Sequence, residues 1–136
     1  MSRAAPETDP RFHSGSWVGY TLRPSENTTR HATLMMLNFA AGVMTGSGSD
    51  ETGTFAIRGR YDLRDGKCIW AQNYTARREV IYNGYCDGQG IWGMWYRPRE
   101  KGPDWKGGFH LMPEGADEPT PMPTRRTIDS VDGDNV

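Results

Sequence analysis

Long apolar runs are missing from this 136-residue chain, and with them any segment able to cross a bilayer as a helix. A dominant charge is missing too. Lys and Arg number 16 against 17 Asp and Glu, a formal net charge of −1, so no global field draws in nucleic acid or an anionic membrane, and neither partner is expected. Histidine and cysteine are too few and too scattered for a zinc set: Cys68 and Cys86 have no neighbouring His. His13, His31 and His110 fall in an N-terminal lead-in, at a strand start and at an outward strand position, and each reads as a surface residue. The first thirty residues carry no signal-peptide hydrophobic core, so the expectation is an intracellular, cytoplasmic protein in which Cys68 and Cys86 stay reduced. The sequons at Asn27 and Asn73 then carry no meaning.

Catalytic signatures are missing as well. The acids gather at Asp50-Glu51 and between Asp62 and Asp65, in turns where Asp serves backbone hydrogen bonds. The only string like a nucleophile elbow, Gly46-Ser47-Gly48 with its flanks, lacks a strand-turn-helix context, so Gly46 and Gly48 read as wall glycines. No cofactor motif is present, and the chain is expected not to be an enzyme.

What the chain has is strands. From Ser16 to Met112 short segments alternate apolar and polar residues and end near Gly, Asp or Asn, the pattern of an antiparallel meander. Eight such strands predict an all-β, up-and-down barrel. The strands are placed at Ser16–Leu22, His31–Phe39, Val43–Gly48, 54–61, Lys67–Tyr74, Glu79–Cys86, 91–96 and Lys106–Met112, with Ala40-Ala41-Gly42, Asp65-Gly66 and Asp87-Gly88 as reversals. Both faces of the first strand are apolar, which leaves its orientation open. A hairpin centred near Arg77 would set Tyr74 opposite Val80, Gln72 opposite Tyr82, Trp70 opposite Gly84 and Cys68 opposite Cys86. The inward set is Trp17, Met35, Leu37, Phe39, Met44, Phe55, Ile57, Tyr61, Trp70, Gln72, Tyr74, Val80, Tyr82, Ile91, Trp95, Phe109 and Leu111.

Three regions follow. Residues 1–14 read as a flexible lead-in, 15–112 as the barrel, and 113–136 as a Pro-rich tail in which six acids face two arginines, a net charge of −4.

Gly15-Ser16-Trp17 resembles the G-x-W that opens the first strand of calycin barrels, the lipocalins and avidins. Gly59-Arg60-Tyr61-Asp62, Trp70, Asn73-Tyr74 and Tyr82-Asn83-Gly84-Tyr85 are similar in order and spacing to the middle strands of the avidin and streptavidin family. The resemblance implies a barrel with an interior ligand site, but not biotin. The polar residues with which that family holds the ureido head are not matched by Val18-Gly19-Tyr20-Thr21, by Val80-Ile81 or by Gly108-Phe109-His110-Leu111. Each unmade buried hydrogen bond costs roughly 1 to 3 kcal/mol.

Two functions stay open. In one the barrel carries or senses a small, mostly apolar or aromatic ligand bound by Trp17, Met44, Tyr61, Trp70, Gln72, Tyr74, Tyr82 and Trp95. Its mouth would be ringed by Arg23–Arg30, Ser49–Gly53 and Arg97–Trp105. In the other the interior is packed and outward aromatics form a wall for a partner or for a homodimer through Trp92, Met94 and Tyr96, with Tyr20 and Tyr85 near by. An isomerase or cyclase in a calycin barrel would need an interior acid or base that the pattern does not provide. The basic residues Arg77, Arg78, Arg97, Arg99, Lys101 and Lys106, interspersed with Glu79, Glu100 and Asp104, read as a solvated rim.

Overall fold

Period-2 alternation turns into eight strands: β1 (Gly15–Arg23), β2 (Glu26–Ala40), β3 (Val43–Asp50), β4 (Gly53–Tyr61), β5 (Lys67–Tyr74), β6 (Arg78–Cys86), β7 (Ile91–Arg97) and β8 (Trp105–Pro113). The structure is a computed structural model that describes residues 5–23, 26–75, 78–99, 101–102 and 105–115, with the side chains of 26–28 left aside. Each strand pairs antiparallel with the next, and β8 returns to β1 through Trp17↔Pro113 to Thr21↔Phe109, which closes the barrel. No helix occurs among the described residues. Closure leaves no unpaired sheet edge among the described residues.

Every residue of the expected inward set is buried, 8% exposed or less. β1 takes the orientation that sends Trp17 inward, with Val18, Tyr20 and Leu22 on the outer face. Glycines make the interior wide enough for large rings. A Cβ on Gly59 would stand 2.4 Å from Trp70 Cβ on the neighbouring strand, and one on Gly48 would stand 2.7 Å from the Phe55 ring. The reversal at Ala41-Gly42 is a two-residue turn with φ of 51° and 81°, the left-handed pair that matches strand twist.

Four expectations need correction. The β5–β6 register is shorter by two: Tyr74 faces Arg78, Gln72 faces Val80, Trp70 faces Tyr82 and Cys68 faces Gly84, because β6 already pairs from Arg78, one residue before the expected start at Glu79. Cys68 and Cys86 are therefore not directly opposed, and both are free and buried. The segment 23–30 is not a broad loop, since β2 starts at Glu26 and pairs with β1 up to Arg23 past a register shift. His110 lies on the outer face but is only 7% exposed, stacked 3.4 Å under the Trp92 ring and edge-on to Tyr20, so it is not a surface histidine.

The lead-in also departs from expectation over its described part. Phe12 is fully buried, 4.7 Å from the Tyr61 ring and 5.5 Å from Phe39, and seals one end of the barrel. Arg11 fastens it there by donating to Leu63 O at 2.7 Å and accepting Cys86 Sγ–H on its own carbonyl at 2.9 Å. Glu7 accepts the Tyr61 hydroxyl at 2.6 Å, and burial with this bond pushes the phenol up to about 12. At the other boundary the barrel reaches Pro113, one residue past the expected limit, and Glu114 N–H donates to Ser16 O. The tail from 116 onward lies outside the described residues.

Candidate functional site at the open end of the barrel

With Phe12 sealing the base, space remains at the opposite end. A cavity of about 210 Å³ is lined by Thr21, His31, Tyr74, Val80, Tyr82 and Trp95 below, and by Arg23, Asp50, Glu51, Thr52, Arg78, Arg97 and Trp105 at the rim. These come from the ends of β1, β3, β5 and β7, from β2, β6 and β8, and from the β3–β4 turn, the same end where the mouth is expected.

The expected ligand residues divide into two groups. Tyr74, Tyr82 and Trp95 line the cavity. Trp70 lies beneath, stacked on Tyr82 with centroids 5.1 Å apart and planes within 6°, and Phe109 closes on both edge-on. Gln72 links this floor to the rim. Trp70 Nε1–H donates to Gln72 Oε1 at 3.0 Å, the Gln72 amide to Tyr74 Oη at 3.2 Å, and the Tyr74 hydroxyl to Asp50 Oδ2 at 2.5 Å. Trp17, Met44 and Tyr61 are elsewhere. They sit at the sealed end with Phe12 and Phe39, where the Trp17 indole donates to His13 O, and they belong to the core.

The floor is electrostatically quiet. Burial raises the phenols of Tyr74 and Tyr82 far above the usual range, and Asp50 adds to both, so each stays a neutral hydrogen-bonding group. Trp95 Nε1–H is taken by Leu22 O at 2.9 Å. Thr33 Oγ1, which shares the inward face of β2 with His31 and stands opposite Asp50 in register, is buried with no hydrogen-bond partner among the described residues.

The rim divides by sign. Acids stand on the β3 side: Asp50 accepts from Thr52 N and Tyr74, while Glu51 pairs with Arg23 and lies 2.6 Å from His31 Nδ1. Bases stand on the β6–β7 side. Arg97 is half-buried with its guanidinium 5.2 Å over the Trp105 ring, and burial together with Arg78 and Arg99 lowers its pKa. The basic rim read from the sequence is thus partly built into the cavity.

Sequence reasoning missed Asp50 and His31 as inward residues. The signal was present, because the alternation through Met44, Gly46 and Gly48 continues to Asp50, and that through Met35 and Thr33 continues to His31. Among the described residues no cluster of His, Cys, Asp and Glu could hold a metal ion. Comparison of the chain with protein-family models, with curated proteins and with solved structures found no match; the architecture itself, a closed eight-stranded antiparallel barrel, is compatible with a calycin-like fold.

Proposed function

We propose that this protein is a small-molecule binding barrel of calycin-like type, a carrier or sensor whose ligand enters the open end and rests on an aromatic floor. One observation supports this above all: among the described residues the barrel is sealed by Phe12 at one end and keeps a cavity over Tyr82 and Trp95 at the other. A barrel of eight strands can fill itself with side chains, and here the filling stops short of the mouth. The ligand is compact. A volume of 210 Å³ is below the roughly 300 to 1,000 Å³ of drug-sized sites, and suits about one aromatic ring with a short polar arm. Native mass spectrometry of protein purified from its own source tests the reading. A retained small molecule that leaves on denaturation supports it, and protein that arrives empty and takes up no aromatic compound refutes it.

A second reading has its own support. Ile69, Tyr85, Trp92 and Met94 are 41–53% exposed on the outer wall of β5–β7, an apolar patch that suits self-association, and Tyr96 extends the β7 row. Sedimentation of Met94→Lys against the unaltered protein tests it: a dimer that dissociates in the variant supports this wall, and a monomer in both rules it out. The two readings are compatible in one molecule.

A further inference from the structure

We propose that the mouth selects an organic anion: a one-ring acid whose ring lies on Tyr82 and Trp95 and whose carboxylate is taken by Arg97 and Arg78. This deepens the binding reading above and rests on it. Five Arg, Asp and Glu side chains line the cavity, and three of them are occupied. Arg23 and Glu51 pair with each other, and both oxygens of Asp50 receive hydrogen bonds, from Thr52 N and the Tyr74 hydroxyl. Arg78 and Arg97 have no carboxylate within 4 Å among the described residues.

Geometry sharpens this. Arg97 is half-buried and held over Trp105, with Arg78 and Arg99 close enough to disfavour its charge. A planar guanidinium that is fixed in place, partly desolvated and beside like charge is prepared for a carboxylate, which it can take with two parallel hydrogen bonds. Asp50 and Glu51, across the opening on the β3 side, repel a carboxylate from that wall and direct it to the β6–β7 side. The neutral Tyr82 and Trp95 beneath offer ring faces and edges, and a ligand ring gains from stacking there.

The test is calorimetric titration of the full chain with phenylacetate, benzyl alcohol and phenethylamine, which share a ring and differ in charge. Phenylacetate is expected to bind at least tenfold more tightly than benzyl alcohol, and that advantage to disappear in Arg97→Gln, to survive only in part in Arg97→Lys, whose ammonium keeps the charge but not the paired hydrogen bonds, and to shrink as salt is raised from low to molar concentration. Equal affinity for phenylacetate and benzyl alcohol, or a preference for phenethylamine, overturns the anion assignment and leaves the binding reading standing. Failure of all three to bind overturns both. The comparison of ligands on the unaltered protein decides the matter even if a variant fails to fold.

Discussion

Removing the Phe12 ring tests whether the N-terminal segment is part of the barrel or an ornament on it. Its side chain is fully buried between Tyr61 and Phe39, so Phe12→Ala loses both the transfer free energy of a ring and the contacts of the cavity left behind, together about 3 to 5 kcal/mol. A domain of this size unfolds with an entropy of about 2.1 cal/mol/K per residue, so each kcal/mol moves Tm by roughly 4 °C. The expected fall is therefore on the order of 12 to 20 °C by differential scanning calorimetry. Met36→Ala, which trims a side chain 51% exposed on β2, is the control and should move Tm by no more than about 2 °C. A Phe12→Ala value as small as the control's would refute the plug, since it would mean that the ring contributes nothing when seated.

Three other outcomes follow from the packing. His110 has its pKa lowered to about 4, first by burial under Trp92 and Tyr20 and further by Arg30, against an opposing pull from Asp87; the folded value lies below the unfolded one of about 6.5, so stability is complete above that pH and falls as acid is added down to about 4. Urea titrations should show a loss of up to about 3 kcal/mol across that window, absent in His110→Gln, and an unchanged midpoint from pH 7 to 4.5 would sink the assignment. Cys68, whose thiol burial pushes up to about 12, and Cys86, also raised by burial, should resist iodoacetamide at pH 8 until the protein is unfolded, then take two labels; a mass gain of two hydrogens on reducing freshly purified protein would show a disulfide instead. Gly59→Ala should cost about 1 to 3 kcal/mol, because its Cβ would meet Ile69 O at 2.2 Å, whereas at Gly108 the nearest atom is 3.8 Å away and Gly108→Ala should be nearly neutral in thermal melts.

The barrel and its core were legible because alternation is a local property, and a closed meander needs little more than that pattern repeated eight times. Interior polarity was less so. The period picks out Gln72 and Tyr74, but Gly48-Ser49 reads as the end of β3, two residues short of Asp50, the acceptor at the end of their hydrogen-bond chain. His110 shows a different limit: its outward direction was correct, yet Trp92 and Tyr20 bend over it, and cover from other strands leaves no trace in a strand's own period. Phe12 had only one signal, a lone large ring in a polar stretch, and its role depends on Tyr61 and Phe39 arriving beneath it from far along the sequence. For the same reason Trp17, Met44 and Tyr61 could not be separated from Tyr74, Tyr82 and Trp95 before the sealed end was known.

The first and last strands share an end. β1 sets out beside Phe12 and β8 finishes opposite Trp17, so the polypeptide enters and leaves the wall at the base, with Glu114 bonded to Ser16 between them. A support, dye or fusion partner attached beside Gly15 or Pro113 is therefore anchored at the end of the barrel opposite the cavity. Held by its base in this way, the barrel would present the cavity end to solution in an immobilised assay of the proposed binding.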